Sequence, residues 1–256
     1  NHRQSRTLRM SSIPILLPAG CPLPLQWSHK RTPHQFYSQP MLKTASWGTA
    51  DTHQIFQAEC RQALGYLLQT MTSKVDLIYL DPPFASQSNY HQRIDDKTKV
   101  QQYTDRWNEQ EYLQVIFETL LLLRSLLSDQ GTIYLHCDHH QSHHLRMLLD
   151  EVFGPKQFLN HIVWGYKTGG IPEKKGFSKK HDDILVYSKS NNPIFHRQHQ
   201  RSYVSSLPEP HTMSGQKLGV QRDEHCELCT NGSPGPKYRN VVCRDVWTDI
   251  PTLFRK

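Results

Sequence analysis

Short apolar runs alternate along the chain with longer stretches in which apolar positions recur every three or four residues. Val75, Leu77, Ile78, Tyr79 and Leu80 make one such run, bounded by breakers, and predict a buried strand. Upstream, Ile55-Phe56 is strand-like, and residues 59–70 carry Leu64, Leu67 and Leu68 on one helical face. Residues 85–107 are polar and show no period, too long for a plain connection, which predicts a functional loop. Asn108 and Glu111 have capping-box spacing ahead of Leu113, Ile116, Phe117, Leu120 and Leu121, predicting a helix that runs into Leu127 and stops at Ser128-Asp129-Gln130-Gly131. Thr132 to Leu135 predicts a second buried strand, ending in His136-Cys137-Asp138. Leu145, Leu148, Leu149 and Val152 form a helical stripe, closed by Gly154 and Pro155. His161 to Tyr166 and Asp183 to Tyr187 are two further strand-like runs, and beyond Asn191 the chain turns polar and irregular until Val241. The order predicts an α/β fold: a mostly parallel sheet whose last two strands form an antiparallel edge pair.

Composition adds a second layer. The 256 residues are only 36% hydrophobic, which implies one core plus long polar loops or tails. A net charge of +7 with 16 histidines favours a polyanionic partner such as nucleic acid. Six sparse cysteines, one of them (Cys137) in a predicted strand, suit a reducing compartment and a cytoplasmic location rather than a disulfide framework. No window approaches the roughly 18 apolar residues of a membrane span; Val115 to Leu127 is broken by Glu118 and Arg124. Residues 1–50 contain no Asp or Glu and are rich in Ser, Pro, Arg and His, the composition of a disordered or non-native leader, with Met41 as a plausible start.

The chemistry concentrates where the first strand ends, at Asp81-Pro82-Pro83-Phe84. In open α/β sheets ligands bind outside the carboxyl ends of strands. Asp81 supplies a carboxylate acceptor, and the carbonyl of Pro82 a second acceptor in a stiff turn. Two acceptors close together match the two hydrogens of an exocyclic amino group. Holding those hydrogens out of the ring plane frees the nitrogen lone pair. Phe84 offers a flat face for a base, which must be flipped out of a duplex at a cost of a few kcal/mol; stacking returns roughly 1–3 kcal/mol. Lys167, Lys174, Lys175, Lys179 and Lys180 line a glycine-containing loop suited to phosphate contacts, against the alternative of a solvated loop. His139 with His143, and His140 with His144, have i, i+4 spacing, but no carboxylate completes an H-E-x-x-H pattern, so no metal is expected and Asp138 is assigned to the site floor. Cys226-x-x-Cys229, with His225 and Cys243, lacks the second pair of a structural zinc site.

The tetrapeptide after a buried strand resembles the catalytic motif of the amino-group DNA methyltransferases, which methylate adenine N6 or cytosine N4 from S-adenosylmethionine. The likeness extends to the segment from Asp105 to Gly154, to "FLNHIVWGYKTGG", "HDDILVYSK" and "DVWTDIP", in the family's order, and covers roughly Ile55 to Pro251. It implies a Rossmann-like methyltransferase sheet over 51–256, double-stranded DNA as partner, Asp81, Pro82, Pro83 and Phe84 as catalytic residues, and Asp81 at the edge of the cofactor site. It also implies a restriction-modification setting and a target-recognition region within 196–240. Asp at the head of the tetrapeptide favours adenine N6 over cytosine N4. The resemblance further leads one to expect a T-Q-K-P-like segment and a D-P-F-x-G-x-G-like glycine turn after "DVWTDIP"; neither occurs. The sheet is therefore expected to be incomplete, with the main cofactor site on a missing C-terminal half or partner subunit, and the chain inactive by itself. The rival reading is a non-catalytic remnant that binds DNA or a partner subunit.

Overall fold

The computed structural model describes residues 12–14, 24–31, 35–37, 45–47, 53–93, 100–166, 177–203, 221–222 and 237–248. They fall into two compact units, one drawn from Asn1–Ile194 with Val246–Lys256 and one from Phe195–Asp245. The first unit is built on a five-stranded sheet of β1 (Val75–Leu80), β2 (Leu127–Cys137), β3 (Phe158–Gly165), β4 (His181–Ser188) and β5 (Val246–Trp247), in the order β5-β3-β4-β2-β1. β1 and β2 are parallel, as are β5 and β3, while β4 runs antiparallel to both of its neighbours. Four strands thus share one direction. β3 and β4 form the expected antiparallel pair, and β5 adds a parallel strand outside it.

Three helices pack on this sheet: α1 (Cys60–Met71), α2 (Glu109–Leu126) and α3 (Ser142–Phe153). Asn108 caps α2, accepting from the amide of Gln110 at 3.0 Å. Glu59 caps α1, accepting from the amide of Gln62 at 3.1 Å. α2 is buried on nearly every side, which explains an apolar stretch wider than one amphipathic stripe. Its last turn passes directly into β2, so the strand begins at Leu127 and not at Thr132. Gly131 makes this possible: a Cβ there would sit 2.7 Å from the carbonyl oxygen of Val75 and 2.8 Å from Leu127 Cδ2.

Strand alternation divides the sheet into unequal faces. Ile133, Leu135, Cys137, Leu185 and Tyr187 join the core beneath the helices, with Ile78 and Leu80 packed against it. The opposite face holds a small cluster of Ile162, Ile184 and Val186 with Tyr134 and Trp247. On that face Leu77 is 62% and Tyr79 55% exposed. β1 is the terminal strand among the described residues.

The described residues within 1–50 make definite contacts. Ser12–Pro14 pairs with Gln35–Tyr37, and Ala45–Trp47 with His53–Ile55, both antiparallel. Leu25 and Trp27 pack against the main core. Lys30 Nζ donates to both oxygens of Glu151, at 2.6 and 2.7 Å, and to the carbonyl of Leu25 at 2.7 Å. Both ion-pair side chains are only 9% exposed. Arg31 and Gln114 exchange two hydrogen bonds, 3.0 and 2.8 Å. A few apolar side chains and one well-placed lysine hold this segment, and a composition averaged over fifty residues hides them.

Within the span expected to be a loop, Ser88–Arg93 pairs antiparallel with Val100–Asp105. The second unit contains a three-stranded antiparallel sheet, His199–Tyr203 and Gln221–Arg222 on either side of Lys237–Val242. No helix among the described residues is long and apolar enough to cross a membrane.

Candidate active site

Asp81 follows the last residue of β1, and its side chain is 60% exposed at the carboxyl end of the sheet. Register then decides what it meets. Leu80 lies opposite Leu135, so the next residue of β2, His136, comes alongside Asp81. His136 is in turn opposite Ile184 of β4, close to Asp182. Counting by twos along each strand puts Asp81, His136 and Asp182 on the face away from the helices. The imidazole is nearly buried, with Nδ1 3.2 Å from Asp81 Oδ1 and Nε2 3.4 Å from Asp182 Oδ2. Burial pushes its pKa down, but the neighbouring carboxylates of Asp182 and Asp81 outweigh that and raise it to about 9. Near neutral pH the ring is a cation between two carboxylates.

Aromatic rings surround this cation. Phe84 meets His136 edge-on, centroids 5.2 Å apart and planes at 75°. Trp164 lies 5.8 Å and Tyr79 6.2 Å from it. Tyr166 follows at 6.3 Å from Trp164, and its hydroxyl donates to Asp182 Oδ1 over 3.5 Å. Burial, followed by the negative charges of Asp81 and Asp182, pushes the Tyr79 phenol up; burial and then Asp182 do the same to Tyr166.

The turn after Phe84 is held by a residue that the sequence pattern does not single out. Asp105, at the end of the hairpin, is 2% exposed. Its Oδ1 accepts from the amide of Ala85 at 3.1 Å, and its Oδ2 from the amide and the hydroxyl of Ser86, each at 2.7 Å. Its carbonyl accepts from the amide of Gln87 at 3.0 Å. Ala85 and Gln87 both have positive φ, 52° and 58°, in the left-handed region unusual for residues with a Cβ. The bend after Asp81-Pro82-Pro83-Phe84 is thus fastened from the far end of the loop.

The structure brings together Asp81, Pro82, Pro83 and Phe84, with Pro82 buried and Pro83 and Phe84 half-buried. Lys179 is exposed and Lys180 half-buried, while Lys167, Lys174 and Lys175 lie outside the described residues, as do His225, Cys226 and Cys229. The histidine pairs are not helical pairs: His139 and His140 precede α3, which begins at Ser142. Asp138, His139 and His140 do converge, their ligand atoms within 4.8 Å of one another. Asp138 already serves His140, through Nδ1 at 2.7 Å and the backbone amide at 2.9 Å. Cys137 is fully buried, and burial followed by the charges of Asp183, Asp138 and Asp182 pushes its thiol up, which makes it a packing residue. The signal that could have found His136 and Asp182 is a polar residue at a strand end where alternation calls for an apolar one.

A family model described as DNA methylase matches residues 75–253. The type II methyltransferase M.EcaI of Enterobacter cloacae is 37% identical over 124 residues, 48% of this chain and 26% of that protein. A probable type III restriction-modification enzyme HindVI Mod subunit of Haemophilus influenzae is 27% identical over 176 residues, 66% of this chain and 22% of that protein. The chain thus spans about a quarter of the length of these curated relatives. Among solved structures, the PvuII DNA methyltransferase (cytosine-N4-specific) aligns with a TM-score of 0.35 at 17% identity, covering 51% of this chain and 48% of that one.

Proposed function

The chain belongs to the amino-group (N6/N4) DNA methylase family, matched from β1 through β5, and from that premise we propose that it carries the catalytic half of an S-adenosylmethionine-dependent DNA methyltransferase. The target is the exocyclic amino group of a flipped base, adenine N6. The observation that carries this reading is Asp81: an exposed carboxylate at the carboxyl end of β1, held on one oxygen by a buried imidazole and followed by a stiff proline turn.

The chemistry follows from those groups. Asp81 accepts one amine hydrogen and the Pro82 carbonyl the other, which localises the nitrogen lone pair. S-adenosylmethionine supplies the electrophilic methyl group. Phe84 stacks the extruded base, and Asp81 takes the released proton and returns it to solvent. The exposed carboxylate of Asp81 and the aromatic rings here suit the cofactor's positive, methyl-bearing end. A glycine turn for its nucleoside, with an acid for the ribose, is not found among the described residues.

That part of the site belongs, in this reading, to a further segment or a partner subunit that covers the open face beside β1. Leu77 and Tyr79 support it, since two large exposed apolar side chains on a terminal strand next to a site are a surface suited to burial. The compact unit Phe195–Asp245 takes in the whole of 196–240 and is the candidate for target recognition. Lys179 and Lys180, with the three lysines before them, are the candidate DNA contacts.

The test is Asp81→Ala in the active enzyme. Methyl transfer should fall by roughly 10- to 150-fold while DNA affinity persists, because the lost charge-assisted hydrogen bond, roughly 1.5–3 kcal/mol, matters most as charge develops on the amine. Methylation kept within about tenfold of the parent, near 1.4 kcal/mol, would rule out this role.

A further inference from the structure

The tetrapeptide does not by itself fix the direction of its carboxylate. Asp81 lies past the end of β1, and most of its side chain faces solvent. A solvated carboxylate has two equivalent oxygens and free rotation about its last bond. Catalysis by orientation requires one oxygen to be committed elsewhere and the other presented.

We propose that His136 is a positioning residue: set between the two carboxylates, with Nδ1 3.2 Å from Asp81 and Nε2 3.4 Å from Asp182, it ties Asp81 to Asp182 and so fixes which oxygen of Asp81 stays free for the target amine. This rests on the function proposed above and adds residues to it.

Three observations carry the proposal. First, the bridge spans three neighbouring strands. β2 carries the ring, β1 delivers Asp81 on one side, and β4 delivers Asp182 on the other. Parallel pairing between β1 and β2 and antiparallel pairing between β2 and β4 are both needed to bring the three side chains level. Second, the ring cannot easily turn away. Phe84 abuts it edge-on at 5.2 Å, and Trp164 and Tyr79 flank it. Third, the two carboxylates differ in exposure. Asp182 is 18% exposed and Asp81 60%, so the bridge has an anchored end and a working end. Phe84 therefore has a second part beside stacking, because it abuts the ring that orients Asp81. The groups facing the ring are Tyr79 from β1, Asp81 and Phe84 just past its end, Asp182 from β4 and Trp164 from β3, with the Tyr166 hydroxyl on Asp182. Its raised pKa agrees with the bridge: the second ring proton is present at neutral pH and is lost as pH rises through about 9.

Two measurements on the full chain decide the proposal. Isotope-labelled histidine, with the His136 signal identified by its loss in His136→Gln, reports ring protonation directly by NMR. The parent ring should be doubly protonated at neutral pH. Asp182→Asn and Asp81→Asn should each move its titration down toward the ordinary value of 6.5. A parent ring that is neutral at pH 7, or one whose titration ignores both variants, overturns the bridge. Methyl transfer is then followed against pH in the active enzyme, the chain together with the segment or partner subunit that completes the cofactor site, supplied with cofactor and duplex DNA. Asp182→Asn should lower kcat, on the order of 10²-fold for a misplaced catalytic group, leave KM for the cofactor unchanged, and bring the alkaline fall in rate to lower pH. An Asp182→Asn enzyme with the parent's kcat and pH profile overturns the positioning role. A parent completed by its cofactor segment that still methylates no DNA sinks the proposed function, whereas the ring titration decides the bridge independently.

Discussion

Replacing Asp105 should loosen the catalytic turn without touching any residue of the tetrapeptide. The carboxylate is 2% exposed and accepts three hydrogen bonds, from the amides of Ala85 and Ser86 and from the Ser86 hydroxyl. Hydrogen bonds to a charged group contribute about 1.5–3 kcal/mol each. Ser86 is half-buried, so water can replace its hydroxyl bond, and the two amide bonds set the cost. Removing a buried charge also recovers some desolvation energy. On that accounting Asp105→Ala should cost about 3 kcal/mol. Asp105→Asn keeps the shape but points an amino group at a donor and should cost about 1.5–3 kcal/mol. The larger consequence is local. Ala85 and Gln87 hold left-handed backbone, which costs roughly 1–2 kcal/mol per residue with a Cβ. Without Asp105 the bend has reason to relax, and the Pro82 carbonyl and the Phe84 ring move with it. Urea unfolding measures the global cost, and methyl-transfer kinetics the local one. Asp105→Asn should lower kcat more than its stability loss explains at temperatures where it stays folded. An Asn variant with the parent's unfolding midpoint and the parent's kcat would refute the reasoning.

Three further outcomes are expected. Phe84→Ala should lose roughly 1–3 kcal/mol of stacking and with it the fluorescence rise of 2-aminopurine at the target position, while Phe84→Tyr or Phe84→Trp keeps both signal and activity; equal signals from Phe84→Ala and the parent would remove the stacking assignment. Calorimetric titration of the chain alone with S-adenosylmethionine should give binding weaker than micromolar, and a micromolar constant, near −8 kcal/mol, would show that the chain needs no further cofactor segment. Gly131→Ala should destabilise the first unit by about 1–3 kcal/mol, since the new methyl meets a carbonyl oxygen of β1; an unfolding midpoint equal to the parent's would show that the strands spread without cost.

The helices, β3, β4 and most of β2 were legible because each follows one period and ends at a recognisable cap or breaker. Asn108 marks the start of α2, and Gly154 closes α3. The start of β2 was misplaced because Ser128 to Gly131 has turn composition, yet it pairs as strand once Gly131 lets β1 come close. At the site, Asp81 to Phe84 could be read locally. The partners could not, because a bridge among positions 81, 136 and 182 depends on register between strands, and no local pattern encodes register across so many residues. Asp105 was hidden for a related reason. It closes a hairpin whose residues alternate too weakly to announce two strands, and its role exists only once that hairpin folds back on the tetrapeptide.

Lys30 sits far from Asp81 in sequence and takes no part in the chemistry, but it bears on where a working polypeptide can be cut. A shorter product begun at Met41 would retain every residue of the site. It would also strip Leu25 and Trp27 from the core and leave Glu151 as a buried carboxylate deprived of its ammonium. Losing one partner of a buried pair costs about 3–5 kcal/mol, a large part of what holds a typical domain folded. The arginine- and proline-rich stretch that looks disposable by composition thus contains a strap across α2 and α3, and trimming it would present as poor yield and low heat tolerance in a protein whose catalytic residues are all intact.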